Sequence, residues 1–453
     1  MPVALDPGGP PTRFRWVVLG LVFLAITVNY IDRMVMGLLA PDLKVRFHIS
    51  DTEYGYIAGT CFGLAYAVGQ LVSGRWLDWV GTRVGYAIAL LSWSVASMLH
   101  AFAGSAVGFG VARALLGITE SPAYPAATKT LAEWFPRKER AFAMGVVNAG
   151  ANIGAVVAPL LVTWLAMRFG WQAAFLVTGT AGLAWLALWL PIYRLPQDHP
   201  RVNRAELAVI EQDPPEAPGR VRWAALLAKR QSWAFMLGKF LTDPVWSFYL
   251  FWLPLFLKDQ HRMEPAAIAW AMATVYIIAD LGSIAGGWMS SAMIRQGFSV
   301  NAARKSTLAA CAAVAVPAVL VPSFATPWPA VLICGFALAA HQGFSTNLYT
   351  LVSDMYPKRA VGSVAGMGGT CGYIGTAILL PAIGKILDAT GKNYTVVFLI
   401  CGLAYLLSFA LIHLLAPGLA QARFDDGDDQ PGGPGAGGFE VVPRPAPPPG
   451  AEH

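Results

Sequence analysis

Three pairs of charged residues interrupt stretches that otherwise read as hydrocarbon. Asp32 and Arg33 lie inside WVVLGLVFLAITVNYIDRMVMGLLAP, Arg113 and Glu120 inside GVARALLGITESPAYPA, and Lys239 and Asp243 inside GKFLTDPVWSFYLFWLP. An ionisable side chain at the centre of a bilayer costs about 2.5–3.5 kcal/mol on insertion scales, so it faces a cavity or a partner. At a rise of about 1.5 Å per residue, Arg33 lies roughly 12 Å inside the end marked by Pro41. Arg113 lies roughly 12 Å inside the end marked by Ser105. Two forked guanidinium groups at one depth suit a carboxylate. Glu120 follows Arg113 by two helical turns on the same face, near mid-membrane. Asp32 and Arg33 project about 100° apart and cannot simply satisfy one another. A carboxylate left without a partner in a medium of low dielectric can take up a proton at neutral pH, which is the chemistry of proton coupling. The bland alternative is ion pairing that only neutralises charge.

Other polar groups sit at comparable depth. Lys239 and Asp243 are at i, i+4, ready to pair, and Pro244 is expected to break the helix there. With Trp246, Tyr249 and Trp252 following, the group suits a sugar acid, or is an interior pair with packing aromatics. His341, Gln342, Ser345 and Asn347 in AAHQGFSTNLYT can bond hydroxyls or act as glue between helices. Tyr66 with Gln70, and Asn148 with Asn152, carry the same two readings.

These residues need spanning helices to hold them. Of 453 residues, 56% are hydrophobic and 13% charged, about half the charge of a soluble chain. Apolar runs long enough to span number twelve, from 16–40 to 394–416, and predict an all-α membrane protein. The first run holds Asp32 and Arg33 and has no small-residue cleavage site after it, unlike a signal peptide. A polar stretch, 194–231, separates six runs from six. The expected organisation is a bundle over 1–193, a linker over 194–231, a bundle over 232–416 and a disordered Gly/Pro-rich tail over 417–453. Lys and Arg gather in the loops on the side of the termini, which places both termini in the cytoplasm. That pattern accounts for the net charge of +6 without nucleic acid. The five cysteines lie in apolar runs without metal-ligand spacing.

The halves repeat. EWFPRKERAFAMGVVNAGANIG (133–154) aligns without gaps on DMYPKRAVGSVAGMGGTCGYIG (354–375), Pro136 meeting Pro357 and Gly145 meeting Gly366. Two pseudo-symmetric six-helix bundles are a transporter design, with the site between them. At the same offset His341 corresponds to Glu120.

The loop GRWLDWVGTRVG (74–85) resembles the signature G-x-x-x-D-x-x-G-x-R of the major facilitator superfamily, matched by Gly74, Asp78, Gly81 and Arg83. It reads as a conformational gate. The second-half stretch GGWMSSAMIRQG lacks the acid. NYIDR, RALLGITESPAYPA and WFPRKERA are similar to the anion:cation symporter branch, and GKFLTDPVWSFYLFWLP resembles bacterial hexuronate transporters. The resemblance implies proton coupling at Asp32 and Glu120, with protons as coupling ion and no other cofactor. It implies a substrate carboxylate on Arg33 and Arg113, with Tyr66 lining the site. Gln70, Lys239, His341, Gln342 and Asn347 are the further candidates for substrate binding. The expected partners are the lipid bilayer and a small sugar acid, glucuronate or galacturonate, with galactonate or glucarate as alternatives. A monomer is expected. An enzyme would need nucleophile–base or metal-ligand groupings that the sequence lacks, and a transporter-like sensor would be separated only by measuring transport.

Overall fold

The computed structural model describes residues 10–212, 220–422, 424 and 429–430. The chain forms α1 (Arg15–Arg46), α2 (Asp51–Val80), α3 (Thr82–Phe102) and α4, which runs as Ala106–Glu120 and resumes as Ala123–Trp134 after Ser121-Pro122. Then come α5 (Arg137–Phe169), α6 (Trp171–Ile192) and α7, made of Arg230–Phe251 and Leu253–His261. The last five are α8 (Pro265–Arg295), α9 (Val300–Ser323), α10 (Pro327–Met355), α11 (Lys358–Thr390) and α12 (Thr395–Leu415). Among the described residues nine helices are long and apolar enough to cross a bilayer, and the bent α7 makes a tenth. The two that complete the twelve, α4 and α10, are those most diluted by polar residues, Arg113 and Glu120 in one and His341, Gln342 and Asn347 in the other.

Local chemistry sets the ends. Ser50 and Glu53 form a reciprocal capping box at the start of α2, and the Ser105 hydroxyl accepts from Gly108 N at the start of α4. Gly81 (φ 83°) turns α2 into α3, a conformation that a side chain rarely tolerates. Pro244 does not break α7, because the helix runs on to Phe251. The 52° bend falls at Trp252, where Pro254 occupies the first turn of the next segment and its missing N–H costs nothing. The structure also has a π-helical stretch, Tyr56–Cys61, inside α2.

Two six-helix bundles result. In the first, α1 packs on α4, α5 and α6, α2 on α4, and α3 on α4 and α6. In the second, α7 packs on α10, α11 and α12, and α8 and α9 pack on α10. The bundles meet along two long seams, α2 with α11 and α5 with α8, and α1 also touches α7. The repeat maps α2 onto α8 and α5 onto α11, so the seams are copies of one another.

One end is closed, the face opposite the termini. Asp388 at the end of α11 accepts from Asp51 N (3.1 Å) and Thr52 N (2.8 Å) at the start of α2. A carboxylate from one bundle therefore caps a helix of the other. Tyr54 donates to Phe251 O (2.8 Å), Thr60 to Ala377 O (2.7 Å) and Lys258 to Pro41 O (2.8 Å). Small residues permit this approach. A Cβ on Gly55 would stand 2.6 Å from Pro381 Cα, and one on Gly384 would stand 2.6 Å from Asp51 C.

On the terminal face the linker docks on both bundles. The buried Glu206, in a short helix (Arg204–Ile210), accepts from Phe14 N (2.8 Å), Arg15 N (3.1 Å) and Thr12 Oγ1, which ties the linker to the start of α1. The expected disordered tail is ordered at its start, where Lys305 donates to Pro417 O (2.5 Å) and Ala422 N to Met355 O (2.8 Å). A two-residue antiparallel pairing joins Arg220–Val221 to Asp429–Gln430. The tail beyond residue 430, and linker residues 213–219, lie outside the described residues.

Because the atoms facing Gly384 are backbone and cannot yield, Gly384→Ala should force the closed face apart. In a cysteine-free background, cross-linking of Thr60→Cys to Ala377→Cys by a short bifunctional thiol reagent should fall several-fold. Undiminished cross-linking would show that the face closes without this contact.

Candidate functional site: a buried charge cluster between the bundles

Arg33 holds the centre. Its Nε and Nη2 donate to Glu120 Oε2 at 3.0 and 2.8 Å, so the pair bridges α1 and α4. Nη2 also reaches Asn29 Oδ1 (3.4 Å), and Nη1 donates to Tyr373 OH (3.0 Å) from α11. The guanidinium carbon lies 5.3, 5.2 and 5.0 Å from the ring centroids of Tyr30, Phe62 and Tyr66. Aromatic faces attract a cation, more strongly where water is absent. The expected i, i+7 face of Arg113 and Glu120 gives no direct bond. Glu120 is held by Arg33 instead, and its Oε1 has no hydrogen-bond partner among the described residues.

Arg113 is wholly buried (0%). Its Nη1 lies 3.4 Å from Arg33 O, so both arginines stand at one level of the membrane. Its guanidinium is sandwiched by Phe62 (4.6 Å) and by Phe251 (5.1 Å) of the other bundle. Nε and Nη2 find no acceptor among the described residues. Those two N–H groups form the side-on fork that takes a carboxylate in two parallel bonds. The cluster of Arg33, Arg113 and Glu120 thus carries one positive charge in excess.

Asp32 does not share this chamber. The 100° step along α1 turns it toward α3, where Ser97 Oγ donates to its Oδ1 (2.9 Å), with Thr178 of α6 also beside it. Its Oδ2 is buried and unpartnered.

From the second bundle, Lys239 Nζ bonds Asp243 Oδ1 (2.7 Å) and lies 4.6 Å from the centroid of Tyr349. Gly372 lets α11 pass that pair, since its Cβ would stand 2.8 Å from Asp243 Cγ. On the other side of α11, Gly369 faces Gln70 and Tyr373 packs on Tyr66, with centroids 4.1 Å apart. Tyr66 accepts from Gln70 Nε2 (3.4 Å). Gln342 is half-buried on α10.

Two candidates are turned away from the space between the bundles. Asn347 donates to Gly286 O (3.1 Å) and Gly343 O (2.9 Å), tying α10 to α8 as a polar side chain does where lipid offers no partner. His341 bonds Tyr405 OH (2.8 Å) and stacks on Trp246 at 5.3 Å, inside the second bundle. Tyr373, Asn29 and Phe62 escape sequence reasoning. Tyr373 looks like one more apolar residue of a glycine-rich helix, and only the α2–α11 seam brings it to Arg33.

The loop motif works within one bundle. Asp78 pairs with Lys129 Nζ (2.9 Å), which also donates to Leu77 O (2.9 Å). Arg83 donates to Leu190 O (2.6 Å) and Thr82 to Glu133 Oε1 (2.6 Å). Gly74, expected to admit a neighbouring helix, has nothing within 4 Å. The second half lacks the acid but has its own clamp. Arg304, the repeat of Arg83, bonds Asp354 Oδ2 (3.0 Å) and Ser290, and Asp354 is the repeat of Glu133.

Comparison with known proteins agrees with this architecture. The family model described as Major Facilitator Superfamily matches residues 22–300 and 265–445. The chain belongs to the major facilitator superfamily. It is 32% identical over 384 residues to the hexuronate transporter of Escherichia coli (strain K12), covering 83% of this chain and 88% of that protein. It is 34% identical over 330 residues to the galacturonate transporter of Dickeya chrysanthemi, covering 71% and 95%. The crystal structure of a D-xylose-proton symporter superposes with a TM-score of 0.72 at 16% identity, covering 90% of this chain and 99% of that one, which shows the fold alone. This member of the superfamily is a multi-pass membrane transporter, not an enzyme.

Removing one partner of a buried ion pair costs about 3–5 kcal/mol, while replacing both by apolar groups is close to neutral. Glu120→Ala should therefore lower the melting temperature of the purified transporter by several degrees. Arg33→Met with Glu120→Met should recover most of the loss. Equal destabilisation by the single and the double variant would show that the pair contributes no mutual stabilisation.

Proposed function

We propose that the protein is a proton-coupled symporter that imports a sugar acid of the hexuronate class by alternating access. The observation that carries this reading is the surplus charge of the cluster. Two buried guanidinium groups stand beside one carboxylate, which Arg33 holds, and Arg113 keeps its carboxylate-binding fork free of acceptors. A buried cation without a counter-charge is costly, so an anionic ligand stabilises the site as it binds. The names of the relatives point the same way.

Lys239 bears on the substrate class. A diacid would use a second cation in the other bundle, but Asp243 already neutralises Lys239 at 2.7 Å. A monoacid with hydroxyls at its far end suits that pair better, which favours hexuronates or aldonates over glucarate. Tyr66, Gln70 and Gln342 supply further donors and acceptors for hydroxyls.

Coupling follows from competition. Glu120 and a substrate carboxylate both seek Arg33. A proton on Glu120 weakens its hold and frees the guanidinium for substrate, and loss of that proton to the alkaline side restores the ion pair and expels the anion. Asp32, behind α1, is a second proton carrier in this scheme. The bundles rock about the two seams. Asp78–Lys129 and Arg304–Asp354 act as clamps that keep each bundle rigid, with Gly81 and Arg83 fixing the turn and Gly74 lying where the bundles approach when that side shuts. Both termini are cytoplasmic, and the closed face is the outer one.

Vesicles loaded with this protein should concentrate labelled glucuronate when acidified outside, and an uncoupler should abolish accumulation. Glu120→Gln should keep exchange of glucuronate across the membrane and lose accumulation by at least tenfold. Accumulation that survives the uncoupler, or normal accumulation by the Gln variant, would defeat proton coupling at this residue.

A further inference from the structure

Tyr373 has a position that the transport cycle described above does not use. It comes from α11 of the second bundle, yet its hydroxyl accepts from Nη1 of Arg33 in the first, at 3.0 Å. The Nε and Nη2 edge of Arg33 is taken by Glu120, so Tyr373 occupies a remaining donor to which an incoming carboxylate would bind. The ring is also a structural part of the seam. It lies 4.1 Å from Tyr66 and 6.3 Å from Phe62, and both of those rings flank the same guanidinium. The backbone is close as well, because a Cβ on Gly63 of α2 would stand 3.0 Å from Tyr373 O. About one helical turn further toward the closed face, Thr60 of α2 bonds Ala377 O of α11.

We infer that Tyr373 is an internal stand-in for the substrate, whose hydroxyl holds Arg33 while the site is empty and whose displacement by a carboxylate loosens the α2–α11 seam. The inference rests on the sugar-acid reading for the identity of the displacing ligand. Its physical basis is the ranking of acceptors. A carboxylate carries a full negative charge that a phenol lacks and can take a guanidinium in two bonds, so an anion wins Nη1 from a phenol. The displaced phenol can no longer bond across the bundles, and the ring contact with Tyr66 loses the tether that aligns it. Occupancy of the site and closure of the face opposite the termini are then linked through one side chain, and any coupling of this kind is reciprocal.

The Phe variant separates hydroxyl from ring. In the empty, cysteine-free protein, Tyr373→Phe should reduce cross-linking between Thr60→Cys and Ala377→Cys several-fold. Glucuronate should produce a similar drop in the protein that keeps Tyr373 and little further drop in the Phe variant. Isothermal titration should find glucuronate bound about tenfold more tightly by the Phe variant, since a competitor for Arg33 has been removed. A melting temperature of the empty Phe variant within a few degrees of the parent's shows that the fold is intact. Unchanged cross-linking in the empty Phe variant would overturn the inference. Weaker binding would also overturn it, because the hydroxyl would then be a contact to substrate and not its rival. A parent protein that binds no sugar acid would refute the substrate reading alone, while cross-linking of the empty protein still decides the role of Tyr373.

Discussion

The bond between Arg33 and Glu120 is the constraint around which the first bundle is arranged. Either residue alone is costly in the membrane interior, and α1 and α4 present them to one another at 2.8 Å. Satisfying Arg33 with Glu120 leaves Arg113 without an acid, although Arg113 and Glu120 share a helix. The imbalance is stored where Phe62 and Phe251 exclude water. A low dielectric strengthens any interaction formed there and makes an unmatched charge costly to keep. On the proposed reading, stability of the empty protein and affinity for an anion pull in opposite directions at one spot.

The seams convert that local chemistry into a problem of shape. Glycines on α2 and α11 bring backbones so close that the two helices cannot adjust by degrees, and interfaces packed in this way tend to have discrete arrangements. The bonds from Asp388 to the start of α2, and from Tyr54 and Thr60 across the same face, are all lost together if the bundles part. The α5–α8 seam is the repeat of this one, yet it carries different side chains. Asn152 stands at the repeat position of Tyr373, so duplication of the backbone plan did not preserve the chemistry at the site.

The loop motif illustrates the same separation of plan from residues. In the first half an acid on α2 meets a lysine on α4. In the second half Ser290 replaces the acid and Arg304 turns to Asp354 on α10. Each arrangement fixes three helices of one bundle near the terminal face, by different side chains. In the proposed alternating-access cycle, rigid bundles move about narrow seams, and an equivalent clamp in each half would supply that rigidity.

Membrane embedding, the repeat, the motif and the shared level of the two arginines were legible in the chain because they follow from apolar length, helical rise and the cost of burying charge. The direction in which each polar side chain points was not. Asp32 and Arg33 are neighbours in sequence, yet one faces Ser97 and the other Glu120 and Tyr373. Asn347 and His341 sit at the right depth but bond within their own bundle, and the bend of α7 falls at Trp252 and not at Pro244. Rotation of a helix about its axis is decided by what packs against it. Partners brought together from more than three hundred residues away, as Tyr373 is to Arg33, leave no trace in local periodicity. Apolar length and the cost of buried charge are local properties, enough to mark the segments that enter a membrane; which charges meet depends on how helices pack, and that is settled only in the folded chain.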